Sequence, residues 1–261
     1  MKIKSAYIFF SLLLFTSCNS IDLRNTWWVV LLFIALLLLS SGMFFYVARK
    51  KKNANNKLDT FSADVHKMLA QIETPEKKIT ALNLVLEQIE NDEAYKKTPE
   101  WKNKVLSKIY EYQAAVYYSI GNEDSVLEAC CRIIELDASN GMAYYNRGSM
   151  YSNQKEYEKA LADFNEAIVL MPENSDVYNN RGLVYDSLGM CDKALSDYNY
   201  AINIEPSAII YFNRASIYYE CEKHIEAKQD YLQYLELDID DSHKLREYAE
   251  AALQLIDKKQ N

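Results

Sequence analysis

The chain has 261 residues, room for one or two domains, and a formal net charge of −8 with a sequence pI near 5.1. So acidic a chain lacks the Lys and Arg surplus that displaces phosphate counterions, which argues against nucleic acid as a partner. With 6 glycines and 4 prolines, collagen-like, low-complexity and turn-rich β architectures are excluded, and long helices are favoured.

Lys2 and Lys4 precede an apolar run at residues 6–15, too short to span a bilayer but shaped like the core of a signal peptide. The run ends in Leu14-Phe15-Thr16-Ser17-Cys18, which resembles the lipobox of bacterial lipoproteins. That resemblance implies cleavage after residue 17 and lipidation of Cys18. The alternative is a short first membrane helix in which the cysteine is incidental. Residues 18–26 then form a short extracytoplasmic stretch. Residues 27–48 are predicted to be a transmembrane helix: 27–47 carry no charge, and at about 1.5 Å per residue they reach about 31 Å, with Trp27, Trp28 and Tyr46 as interfacial aromatics. The basic juxtamembrane linker, 49–57, opens with Arg49, Lys50, Lys51 and Lys52. The positive-inside rule puts that cluster, and everything after it, in the cytoplasm of a bacterial inner-membrane protein. Cys130, Cys131, Cys191 and Cys221 are then expected as reduced thiols.

Residues 58–106 read as a helical extension. Thr74-Pro75-Glu76 and Thr98-Pro99-Glu100 are predicted helix starts: threonine caps, proline suits the first turn, and glutamate favours the positive end of the helix dipole. Beyond them the chain repeats. Tyr144-Tyr145-Asn146-Arg147-Gly148 recurs as Tyr178-Asn179-Asn180-Arg181-Gly182 and as Tyr211-Phe212-Asn213-Arg214-Ala215, at offsets of 34 and 33 residues. The same offsets relate Tyr151, Tyr185 and Tyr218; Ala160, Ala194 and Ala227; and Phe164, Tyr198 and Tyr231. Pro172 and Pro206 close two of the units.

This period and order of residues resemble the tetratricopeptide repeat (TPR). The resemblance implies an all-α, right-handed superhelical solenoid of helix-turn-helix units, here with a single N-terminal transmembrane helix. Four units are predicted over 107–241: a degenerate one at 107–140, then 141–174, 175–207 and 208–241. Residues 242–261 read as a capping helix with Leu245, Tyr248, Ala249, Ala252 and Ile256 on one face. Small residues at the glycine and alanine positions let paired helices approach, and aromatics fill the gaps between pairs, so the tyrosine excess is chiefly core packing.

The seventh and twenty-third positions of each unit suggest structural ion pairs: Arg147 with Asp163, Arg181 with Asp197, and Arg214 with Asp230, within a unit or across the stack. Such pairs are worth under about 1 kcal/mol where exposed. In the degenerate unit the same places hold Gln113 and Ala129. TPR arrays usually present the first helix of each pair to a concave groove. By position, this implies partner contacts from Tyr145, Asn146 and Ser149; from Asn179, Asn180 and Leu183, flanked by Asp176 and Asp186; and from Phe212, Asn213 and Ser216, beside Ile209. Asparagine amides at 146, 180 and 213 suit an extended peptide backbone, or else satisfy neighbouring helices. Of the carboxylate clamp that some family members build with lysine and arginine only Asn180 fits, the other places being held by Tyr145, Ser149, Ile209 and Asn213, so a chaperone-tail type of ligand is not expected. Acidic surroundings favour a neutral or basic protein or peptide.

No phosphate-binding loop, nucleophile elbow, kinase signature or metal-ligand spacing occurs, and His66, His224 and His243 are isolated. The expectation is a non-enzymatic, membrane-anchored scaffold without cofactor or small-molecule substrate. Two alternatives are an extracytoplasmic lipoprotein for envelope assembly or transport, and a self-associating accessory subunit of a membrane complex. The net charge of −8 divides unevenly: residues 1–57 have eight basic groups against one acidic (+7), and 58–261 have 21 against 36 (−15).

Overall fold

The computed structural model describes residues 54–237 and 243–260. Cys18, the apolar run at 27–47 and the basic cluster at 49–52 lie outside the described residues. Among the described residues there are twelve helices and no strand, and no helix is long and apolar enough to cross a membrane. The chain divides into two compact units after Ile120.

The first unit contains α1 (Ala54–Ala70), α2 (Pro75–Asn91), the short α3 (Glu93–Lys96) and α4 (Pro99–Ser119). Pro75 and Pro99 each open a helix. Thr74, in extended backbone, accepts from the Lys77 N–H at 3.4 Å. Thr98 makes no such cap bond. Ala81, Leu82, Val85, Leu86 and Ile89 form the buried stripe of α2, and Val105, Leu106, Ile109 and Val116 that of α4. Phe61, Val65 and Leu69 form the buried stripe of α1. Polar bonds set the register: the Gln113 amide donates to Asn83 Oδ1 at 2.6 Å, and the Tyr112 hydroxyl donates to the Ser62 carbonyl at 2.8 Å. Helix α4 runs unbroken through residues 106 and 107, since its start is dictated by Pro99 rather than by the repeat period. The degenerate segment 107–140 is divided between the two units.

The second unit contains α5 (Glu123–Leu136), then three pairs: α6 (Gly141–Asn153) with α7 (Tyr157–Leu170), α8 (Ser175–Ser187) with α9 (Cys191–Ile204), and α10 (Ala208–Glu220) with α11 (His224–Leu237). It closes with α12 (His243–Gln260). Asn122, Asn140 and Asn174 cap α5, α6 and α8 through side-chain bonds of 3.0–3.1 Å to backbone N–H groups. The turn inside each pair is reversed by one left-handed residue, at Lys155 (φ 61°), Gly189 (φ 70°) and Glu222 (φ 57°). Gly121 (φ 70°), 34 residues before Lys155, has the same left-handed backbone just ahead of α5. The degenerate segment therefore keeps the local backbone of the repeat where its signature residues are lost. A non-glycine residue in this conformation costs about 1 kcal/mol.

Each apolar cluster joins one pair to the helix that follows it. Ala160, Phe164 and Ala167 of α7 meet Val177 and Val184 of α8. Ala194, Leu195, Tyr198 and Ala201 of α9 meet Ile210 and Ile217 of α10. Ala227, Tyr231 and Tyr234 of α11 meet Ala249, Ala252 and Ile256 of α12. Helix α12 thus takes the place that the first helix of a fourth full pair would fill, which is what a terminal unit with no successor requires. Close approach within a pair explains the small residue on the first helix. A Cβ on Gly182 would lie 2.8 Å from the Tyr198 ring, and one on Gly148 would lie 3.0 Å from Phe164.

The middle repeat carries an imperfection. Tyr198 is fully buried, and its hydroxyl has no hydrogen-bond partner among the described residues. One repeat later the Tyr231 hydroxyl meets Ser216 Oγ at 3.4 Å; the residue matching Ser216 in the middle repeat is Leu183. One repeat earlier the ring is Phe164. Tyr198→Phe is therefore expected to raise stability by about 1 kcal/mol, seen as a higher urea midpoint at unchanged slope. Burial also raises the Tyr198 phenol above its ordinary value and pushes Tyr231 up to about 12. Between about pH 10, where unfolded tyrosines ionise, and pH 12 the native state holds more protons than the unfolded chain. Stability should fall as pH rises through that window, less steeply in the Tyr198→Phe variant.

Candidate partner-binding face

The three arginines meet the three aspartates inside their own repeats. The Nε and Nη2 groups of Arg147 donate to the two oxygens of Asp163, both at 2.7 Å. Arg181 holds Asp197 at 2.8 and 2.7 Å, and Arg214 holds Asp230 at 2.7 Å twice. The aspartate side chains are 7–8% exposed, so the estimate for exposed pairs does not apply to them. These are bidentate, charge-assisted pairs inside the stack. The hydrogen bond to Asp163 holds the Arg147 guanidinium above its ordinary range, and Asp197 does the same for Arg181.

The remaining guanidinium nitrogen, Nη1, reaches the preceding repeat. Arg181 donates to Asn165 Oδ1 and Arg214 to Asn199 Oδ1, both at 2.6 Å, while Arg147 meets Cys131 Sγ at 3.5 Å. These third partners were not anticipated from the sequence. Residues 131, 165 and 199 are each 34 apart, so the spacing was there to be read. Each guanidinium also lies 5.6–5.8 Å from tyrosine ring centres: Tyr144 for Arg147, Tyr178 and Tyr185 for Arg181, and Tyr211 and Tyr218 for Arg214. In the degenerate segment Gln113 replaces the arginine and bonds Asn83 instead.

The face formed by α6, α8 and α10 carries a second polar chain. Asn213 donates to Asn179 Oδ1 at 2.9 Å, Asn179 donates to Asn180 Oδ1 at 3.3 Å, and Asn180 donates to the Tyr145 hydroxyl at 3.0 Å and to Ser149 Oγ at 3.4 Å. Two amides offered by the sequence to a peptide are thus given to the preceding repeat. The reason is geometric: the residue at position six of one first helix sits beside position five of the one before it. Asn146 has no polar partner among the described residues of its unit. The Ser149 and Ser216 hydroxyls donate to carbonyls one turn back, those of Tyr145 and Phe212. Phe212 is half-buried and packs on the last core cluster, with ring centres 5.9, 5.2 and 5.7 Å from Tyr231, Tyr234 and Tyr248. Tyr248 of α12 packs against it, a contact that periodicity within the repeats could not report.

Leu183, Ile209 and Met142 remain exposed on the first helices, as does Asp176. Asp186, one turn beyond Leu183 on α8, has no cationic partner among the described residues. Burial raises its carboxyl above the usual carboxylate range. Among the described residues no group of three or more His, Cys, Asp or Glu could hold a metal ion.

Models of the tetratricopeptide repeat match residues 142–174, 175–207 and 208–241. Residues 142–241 are three tetratricopeptide repeats. The chain is 49% identical over 41 residues to the DnaJ homolog subfamily C member 3 homolog of Dictyostelium discoideum, a stretch that covers 16% of this chain and 8% of that relative. Among solved structures it resembles a crystal structure of MamA at 26% identity and a TM-score of 0.51, over 66% of this chain and 98% of that one. It also resembles MamA 41-end from Desulfovibrio magneticus RS-1 at 16% identity and a TM-score of 0.57, over 72% and 99% of the two chains, which speaks for the fold alone.

Proposed function

We propose that this protein is a membrane-anchored scaffold that recruits a neutral or basic protein or peptide to the first-helix face of its repeats. The observation that carries this reading is the pairing of exposed Leu183 with the half-buried, cation-free Asp186 on α8, the middle first helix of the face. An apolar contact beside an uncompensated carboxylate suits a segment with an aliphatic side chain next to a lysine or arginine. Asn146, whose amide is unspent within its unit, adds a donor and an acceptor on the neighbouring helix. The amide chain between the helices holds the face in one register, so little ordering cost remains for binding. The uncleaved apolar run at 27–47 would serve as the anchor, and the basic residues after it favour a cytoplasmic repeat domain. Anchoring raises the local concentration of the bound partner at the membrane. The fold supports binding of many kinds, so the partner is defined here by its chemistry.

A photo-crosslinker at Leu183 in the full chain, in its native membranes, tests the face. The expected result is capture of a discrete basic partner, falling at least about tenfold with Asp186→Lys at unchanged helicity, as loss of a desolvated charge contact would give. Capture insensitive to Asp186→Lys would refute the site. Alkaline phosphatase fused after Asn261 tests the side of the membrane. Activity there would overturn the cytoplasmic placement and favour the lipid-anchored reading built on Cys18.

A further inference from the structure

We propose that the segment recruited to the first-helix face binds there as a basic amphipathic α-helix rather than as an extended chain, an inference that rests on the recruiting face proposed above. The face is built from α6, α8 and α10, and most of its polar groups are already committed. The Asn213 amide donates to Asn179 at 2.9 Å, that of Asn179 to Asn180 at 3.3 Å, and that of Asn180 to Tyr145 and Ser149 at 3.0 and 3.4 Å. Asn179 is moreover only 8% exposed. Ser149 and Ser216, which match Leu183 in the neighbouring repeats, donate to carbonyls of their own helices at 2.9 and 3.0 Å. An extended chain carries an N–H and a C=O on almost every residue, and those pressed against a protein surface need partners on it. Side chains spent in this way do not offer one amide per repeat, and among the described residues there is no strand edge to extend. A helix bonds the same backbone groups within itself, so only its side chains have to be matched.

The exposed apolar groups of the face point the same way. Met142 and Ile209 stand at the second position of α6 and α10, and Leu183 at the ninth of α8. Seven residues of helix, about 10 Å, separate those two levels. An extended chain turns a single line of alternate side chains to a surface, whereas a helix turns a broad stripe at i, i+3, i+4 and i+7. Charge sets the borders of that stripe. On α8, Asp176, Asn179, Leu183 and Asp186 follow at spacings of three, four and three, so they share one face of the helix. Leu183 therefore has a carboxylate to either side along its helix, exposed Asp176 and half-buried Asp186. An apolar stripe with lysine or arginine along both borders is complementary to that order.

The test uses the purified full chain in phosphatidylcholine nanodiscs, with empty nanodiscs as the blank, and three synthetic peptides of leucine, lysine, alanine and glutamine. Each has about 18 residues, about 27 Å as a helix, enough to cross three neighbouring first helices. In the first peptide the leucines recur at i, i+3, i+4 and i+7. The second has the same composition with leucines alternating with polar residues. The third is the first with a proline at its centre, which breaks the helix. The first peptide is expected to bind at least about tenfold more tightly than either of the others, with helical carbon-13 shifts along its bound backbone. Leu183→Gln and Asp186→Lys should each weaken it by at least about tenfold. Equal or tighter binding of the alternating or proline peptide, still weakened by both substitutions, would overturn the helical mode and leave the recruiting face standing. Binding indifferent to both substitutions, or no saturable binding of any peptide, would remove the face and this proposal with it.

Discussion

Replacing Asp197 by alanine is expected to destabilise the repeat unit by about 3–5 kcal/mol, the range for removing one partner of a buried ion pair. The Arg181 guanidinium would keep its bond to Asn165 and its place between Tyr178 and Tyr185, but two of its N–H groups would point at an emptied, largely dry site. The loss should appear as a fall in the urea midpoint of the helical signal. Changing the whole pair to apolar residues, Arg181→Met with Asp197→Leu, should recover most of it, because the cost arises from the stranded charge more than from the absent attraction. If Asp197→Ala cost less than about 1 kcal/mol, the pair would behave as an exposed one and its burial in the stack would be in error.

Phe212→Ala should cost about 3–4 kcal/mol, with the damage concentrated at the C-terminal end. Phe212 is ringed by Tyr231 and Tyr234 of α11 and Tyr248 of α12, so the cavity would open between the last repeat and its terminal helix. Hydrogen exchange makes the outcome specific. Amides of α12 should lose protection first, while those of the unit before Ile120 keep theirs. Were Phe212 a groove residue, its removal would weaken partner capture and leave α12 protection unchanged.

The two variants probe features that were legible in the sequence to different degrees. Arg181 and Asp197 recur at fixed offsets in three units, and a charge pair lost together in the degenerate unit is a coupled pattern that linear periodicity can reveal. Its burial was not visible, because exposure depends on the tyrosines and the neighbouring repeat that close over it. Asn180 and Asn213 recur as regularly, yet repetition could not say whether their amides face a ligand or the preceding helix. That depends on how position five of one helix meets position six of the next. Phe212 shows the limit most plainly, since Tyr248, which packs on it, lies outside the repeating pattern.

By itself the sequence determined the class of local structure: helix pairs of fixed length, small residues where those pairs touch, aromatics where successive pairs meet, and a periodic arginine and aspartate. These are consequences of a 34-residue period acting on helix geometry, and each is decided within or between adjacent segments. The tertiary structure alone decided which polar groups are spent inside the stack and which remain at its face. It left Tyr198 without a partner and Asp186 half-buried without a cation among the described residues. The physical reason is that hydrogen-bond satisfaction and burial are properties of a packed neighbourhood, set by angles and approach distances between helices that a linear spacing does not encode.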